Sequence, residues 1–277
     1  MNNLQQLKKM QDELPENGFL MPVFFIGHGS PMNGIADNSF SRGWEESVHD
    51  LPLPRAVLVI SAHWLTRGSF ITAMEHPRTI HDFGGFPEAL YQVQYAAPGD
   101  PALARETIEL VQATRLEPDH EWGLDHGTWS VVRHMYPNAN IPVLQLSIDY
   151  AKEAAWHYQL AADLFELRKR GVLIIGSGNM VHNLRMVAWD KLNESNYGFD
   201  WAHQMNDTFK NFIREGAHDK LIHYQKMGKE ALLAIPTPDH YYPLLYILGL
   251  QRGQEPVAFF NDQAVGGSLT MTSVKIG

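Results

Sequence analysis

The 277 residues are 44% hydrophobic and 19% charged, enough apolar side chain for a sizeable core and well outside the polar, highly charged regime in which chains stay disordered. Thirty-one acidic against 22 basic residues give a net charge of -9, which repels phosphate backbones and, with no local basic patch, argues against nucleic acid as a partner. No cysteine occurs, so disulfides, thiolate metal sites and cysteine nucleophiles are excluded, and any metal must be held by histidine, carboxylate or carbonyl.

Residues 1–20 read as an amino-terminal amphipathic arm, with Leu4, Leu7, Met10 and Leu14 on one helical face. The arm has no apolar stretch like a secretory signal, and no other window approaches the roughly 20 apolar residues that span a bilayer. The expectations are a cytoplasmic address and no membrane partner. Residues 21–277 read as one catalytic α/β domain. The runs 23–26 and 56–60 are short and uniformly apolar, as strands buried on both faces of a parallel sheet must be. Segments 69–74, 142–148, 172–175, 257–260 and 268–275 supply further strands. Helices are predicted over 101–115, with Pro101 in the first turn, and over 152–168, 201–214 and 244–250. Strands alternating with helices predict a three-layer α/β/α single domain around a mixed, mainly parallel central sheet. Irregular stretches at 76–100 and 117–127 are too long for mere connectors and are expected to carry a site.

In open α/β sheets ligands bind beyond the carboxyl ends of the strands. Of the 14 histidines, His28, His63 and His182 follow the apolar runs 23–26, 56–60 and 172–175 there. His240 lies just ahead of the helix at 244–250, and His126 stands in Leu124-Asp125-His126-Gly127. His28 and His63 converge at one end of one sheet, which favours a shared metal or catalytic site over two independent core histidines. His81 precedes the paired glycines Gly84 and Gly85, a segment that reads either as a mobile apolar flap or as a plain surface loop. The other histidines read as ordinary core or surface residues. Neutral imidazole suits zinc, copper, nickel and iron(II), so three or four histidines point to one divalent transition metal without naming it. Nucleotide and serine-hydrolase readings find no support: the Gly176-Ser177-Gly178 turn lacks the third glycine of a dinucleotide fingerprint, and neither a Walker loop nor a nucleophile elbow occurs.

Six phrases in order, GHGSPMN (27–33), SAHW (61–64), IHDFGGFP (80–87), WGLDHGTW (122–129), SGNMVHNLR (177–185) and TPDHYYPLLY (237–246), resemble the LigB-like class III extradiol ring-cleaving dioxygenases, nearest to their 4,5-DOPA extradiol branch. The resemblance implies a mononuclear non-haem centre that opens a catechol ring beside its two hydroxyls, with O2 as co-substrate. It implies His28, His63 and His240 as metal ligands, and His182 and His126 as residues for acid/base catalysis and positioning, His182 being also a possible fourth ligand. Many relatives in the wider superfamily carry a glutamate where His240 falls. An all-imidazole set removes one negative charge, so the site is as hospitable to Zn(II) as bound as to the Fe(II) that ring cleavage needs.

The expected partner is a small-molecule catechol, and the sequence assigns no oligomeric state. Trp64, Phe83, Phe86, Trp129 and Tyr241 neighbour the motif histidines and are expected to wall an aromatic substrate. Arg67 and Arg185 are candidates for pairing with a substrate carboxylate. The competing reading is a zinc-dependent hydrolase or amidase on the same metal site, which lacks an obvious partner glutamate.

Overall fold

A computed structural model describes residues 19–277; the arm expected at 1–20 therefore falls almost wholly outside the described residues. In chain order the strands are β1 (Val23–Gly27), β2 (Ala56–Thr66), β3 (Ser69–Thr72), β4 (Leu116–Asp119), β5 (Val143–Asp149), β6 (Val172–Gly178), β7 (Val257–Phe260), β8 (Ala264–Val265), β9 (Leu269–Thr270) and β10 (Ser273–Ile276). The α-helices are α1 (Ser39–Val48), α2 (Glu88–Tyr91), α3 (Pro101–Leu110), α4 (His126–Met135), α5 (Ala154–Leu160), α6 (Phe165–Lys169), α7 (Asp200–Arg214), α8 (His218–Ile222), α9 (Lys229–Ala234) and α10 (Tyr242–Gly249).

Eight strands form one sheet in the order β4-β3-β5-β2-β6-β1-β10-β7. The central strands β5, β2, β6 and β1 are mutually parallel, while β10 and β7 at one side and the β3–β5 pair run antiparallel. The expected mixed, mainly parallel sheet is thus present. Its two faces follow from strand periodicity. In β1, Val23 and Phe25 join one apolar cluster and Phe24 and Ile26 the other, all four fully buried. Each such side chain contributes about 1.5–3 kcal/mol relative to exposure. The first cluster lies under α3, α5 and the helices from α7 to α10; the second lies under α1 and α4. These are the three layers, and among the described residues no helix is long and apolar enough to cross a membrane.

The structure revises several boundaries. The strand expected over 268–275 is two, because Leu269–Thr270 pairs with β8 whereas Ser273–Ile276 turns into the main sheet. The helix expected over 152–168 is interrupted by a 3-10 turn at Ala161–Leu164, and the one expected over 101–115 ends at Leu110. Within the stretch read as irregular, Leu116–Asp119 forms an edge strand, the one place where its Pro118 costs no ladder bond to a second neighbour. Helix α1 is started by Asn38, whose side chain accepts from the Phe40 and Ser41 amides while Ser41 Oγ accepts from the Asn38 amide.

Candidate metal centre

Parallel β2, β6 and β1 are adjacent, so their carboxyl ends open on the same edge. His28 leaves β1 immediately after Gly27. His63 lies within β2 where the register with β5 shifts between Ile60 and Leu65. Such an irregularity re-aims side chains, and here it turns His63 toward His28. His240 arrives from the loop before α10. Its carbonyl accepts the Asn179 amide at 2.9 Å, and a Cβ on Gly178 would lie 2.1 Å from that same carbonyl oxygen. Only glycine at 178 lets the two backbones meet.

These elements bring ring nitrogens of His28, His63 and His240 within 4.8 Å of one another. Their hydrogen bonds fix which nitrogen is free. Ser177 Oγ donates to the Gly127 carbonyl at 2.6 Å, so its proton is committed and it accepts from His28 Nδ1 at 3.0 Å. His63 Nδ1 faces Asp82 Oδ2 at 3.3 Å, and His240 Nδ1 donates to Asp239. His28 and His240 therefore spend their Nδ1 proton on an acceptor and keep a lone pair on Nε2, the arrangement in which imidazoles ligate metals, and the carboxylate 3.3 Å from His63 Nδ1 favours the same tautomer there. His28 Nε2 and His63 Nε2 stand 3.1 Å apart; with both Nδ1 atoms protonated, two lone pairs face each other there. A proton is a poor solution there: burial first, and then the neighbouring histidines, push the His28 and His63 rings well below the ordinary value of 6.5. A divalent cation is the group that relieves this opposition, and the donor set fits a transition metal.

Two further imidazoles flank the three. His126 opens α4, with its amide and Nδ1 donating to the two oxygens of Asp82 at 2.8 and 2.9 Å. The first turn of α4 is clamped on every side. Asp125 caps it through the Thr128 amide while its carboxylate accepts from Ser61 Oγ at 2.7 Å and Gln145 Nε2 at 2.6 Å. A Cβ on Gly127 would strike Ser61 Oγ and the His63 ring. His182 lies stacked on His240, and its ring makes no hydrogen bond among the described residues. Burial, followed by the charge of His240, pushes it down to about 3. Burial raises both flanking carboxyls, yet the hydrogen bonds and charge of His126 at Asp82, and of His240 at Asp239, outweigh it and hold them below the usual carboxylate range. Asp82, Asp239 and Ser177 were quoted in the motifs without a role; the signal for them is that a ligating imidazole needs an acceptor for its second nitrogen.

The expected aromatic wall is only partly brought to this place. Phe83 lies edge-on to His126 with centroids 5.6 Å apart, and Phe86 packs edge-on to Phe83 at 5.4 Å. Trp129 is fully buried and supports the 80–87 loop from beneath, donating to the Ile80 carbonyl. Trp64 and Tyr241 make their contacts elsewhere. Trp64 follows His63 in a strand and so points to the opposite face, stacked on Trp122. Tyr241 is fully buried against Phe209 and Tyr224, its hydroxyl donating to the Leu221 carbonyl. Arg67 and Arg185 are exposed and form no ion pair among the described residues. His81 donates from Nε2 to the Val93 carbonyl at 3.0 Å and packs on Trp129.

The family model described as the catalytic LigB subunit of aromatic ring-opening dioxygenase matches residues 22–272. The chain is 48% identical over 261 residues to the 4,5-DOPA dioxygenase extradiol of Escherichia coli (strain K12), covering 93% of this chain and 95% of that protein. It is 36% identical over 240 residues to the protein of that name from Mirabilis jalapa, covering 84% and 88%. A crystal structure of an uncharacterized Escherichia coli K12 protein matches with a TM-score of 0.80 at 42% identity, covering 93% of this chain and 100% of the other. The chain belongs to the LigB family of aromatic ring-opening dioxygenases and is an enzyme of that kind.

Proposed function

We propose that this enzyme is a metal-dependent extradiol dioxygenase that opens the ring of a catechol with O2, 4,5-cleavage of DOPA being the reaction that the names of its relatives suggest. The observation that carries the reading is the convergence of three Nε2 lone pairs, from His28, His63 and His240, at the carboxyl ends of parallel strands. A bound Fe(II) would supply acidification of the catechol and electron transfer to O2; Zn(II) fits the same donors but supplies the first alone.

The chain's own residues supply the rest. Chelation through two adjacent hydroxyls requires two protons to leave, and a second base near neutral pH is an imidazole. His182, held neutral by burial, offers a ring nitrogen free of protein partners to take the proton of the second hydroxyl and later return it. His126 is the second such group. Its Nδ1 proton is committed to Asp82, so its Nε2 accepts, and the carboxylate stabilises the imidazolium that results. Phe83 and Phe86 offer flat apolar surface to the ring beside His126. The hydrolase reading finds no carboxylate base to support it, since Asp82 and Asp239 are both taken up as acceptors of imidazole N–H groups.

The test is anaerobic reconstitution of metal-free protein with Fe(II), followed by DOPA or catechol and then O2. Stoichiometric oxygen uptake with a yellow ring-opened product is expected. Oxygen-independent cleavage of an ester or amide by the Zn(II) form, with no oxygen uptake by the Fe(II) form, would overturn the proposal.

A further inference from the structure

Each of the two carboxylates beside the centre lies between a ligand candidate and a free imidazole, as His63–Asp82–His126 and His182–Asp239–His240, but they are used differently. Asp239 bonds to the Nδ1 of His240 and makes no hydrogen bond to His182. Asp82 serves both of its neighbours, and through the same oxygen: Oδ2 lies 2.9 Å from His126 Nδ1 and 3.3 Å from His63 Nδ1, while Oδ1 accepts the His126 amide at 2.8 Å. The three residues come from separate elements, His63 from β2, His126 from the start of α4 and Asp82 from the segment between β3 and α2. The two rings themselves lie against each other with centroids 3.9 Å apart.

We infer that Asp82 is a positioning residue that clasps His63 and His126 into one unit, so that the metal-facing nitrogen of the first and the substrate-facing nitrogen of the second are set by a single carboxylate. The inference rests on the ring-opening reading for the task given to His126, but not for the clasp itself. An imidazole can rotate about χ2 and exchange its two nitrogens; an acceptor fixed at Nδ1 removes that freedom. His126 donates to Asp82 twice and His63 Nδ1 stands 3.3 Å from the same Oδ2, and asparagine has only one carbonyl oxygen to offer them. Its NH2 would stand either against both ring Nδ1 positions or against the His126 backbone N–H, and either opposition pulls the clasp apart. Asp82 also precedes Phe83, which lies edge-on to His126, so the same short segment delivers the clasp and one aromatic wall.

The experiment compares wild type, D82N, D82E, H126A and D82N/H126A. Co(II) binding to metal-free protein is followed by visible absorption, and kcat and KM for a catechol are measured at saturating Fe(II). D82N is expected to weaken Co(II) binding about 10–100-fold, D82E to fall between D82N and wild type, and H126A to bind Co(II) within a few-fold of wild type. At saturating Fe(II), D82N should lower kcat with little change in KM, and adding D82N to H126A should cost no further kcat, because the clasp then has no second ring to hold. Wild-type Co(II) affinity in D82N, or kcat losses that multiply in the double variant, would overturn the inference. If D82N fails to fold, D82E decides alone: unchanged Co(II) affinity and kcat overturn the clasp, and a loss in both supports it. A wild-type enzyme that consumes no oxygen with any catechol would sink the ring-opening reading, while the Co(II) arm would still report on Asp82.

Discussion

His182 lies flat against His240, the two rings parallel to within 8° and their centroids 3.5 Å apart. The stack places a neutral imidazole beside a ligand candidate while leaving its nitrogens to other work. His182→Gln is therefore expected to keep its metal, measured by elemental analysis, and to lose about 10²–10⁴-fold in kcat. Loss of metal would instead make His182 a fourth ligand, and full activity would move the proton transfer to His126.

His63 stands between Asp82, 3.3 Å from its Nδ1, and His28, 3.1 Å from its Nε2. Replacing it with alanine leaves two imidazoles, too few to hold an ion in an open site. His63→Ala should contain no stoichiometric metal and show only background oxygen uptake. Retained metal in this variant would refute the ligand assignment.

Gly178→Ala tests how the third imidazole is delivered. The added Cβ would lie 2.1 Å from the His240 carbonyl oxygen, so the loop before α10 must retreat. A stability loss of about 1–3 kcal/mol is expected from the overpacking, read by urea denaturation, together with weaker metal binding. A stable variant with wild-type metal affinity would show that the loop's position is unimportant.

His157 lies fully buried outside the histidine motifs, hydrogen-bonded to the Tyr246 hydroxyl, and burial pushes it from 6.5 down to about 4. Below the unfolded value the unfolded chain takes up a proton that the folded one refuses. Stability is therefore whole above pH 6.5 and falls as pH drops from there toward about 4, by about 3 kcal/mol at most for this group. His157→Phe should be less stable at pH 7.5, because the Tyr246 hydroxyl loses its partner, yet show a smaller drop between pH 7.5 and 4.5. An equal drop in both proteins would remove His157 from the acid response.

The central strands were legible because burial on both faces leaves an unbroken apolar run, as in β1 and the first half of β2. The histidines at their ends were legible because parallel strands share a carboxyl edge. Leu116–Asp119 was not, since an edge strand needs few apolar residues and tolerates Pro118. Helix α4 was hidden by the turn-like Leu124-Asp125-His126-Gly127, although Asp125 is an N-cap of ordinary kind. The aromatic wall was overread for Trp64 and Tyr241 for one reason: adjacency in sequence to a site histidine places the next side chain on another face. Asp82 and Asp239 were visible as letters, but their service to imidazole Nδ1 atoms depends on tertiary geometry that spacing does not encode.

A polypeptide without cysteine has no covalent staple with which to shorten its denatured ensemble. An ion gripped by His28, His63 and His240 would join the opening strands to the segment just before α10, closing a long loop as a cross-link does and stabilising only the folded chain. Metal supply would then govern the enzyme's survival under heat and proteolysis as well as its turnover.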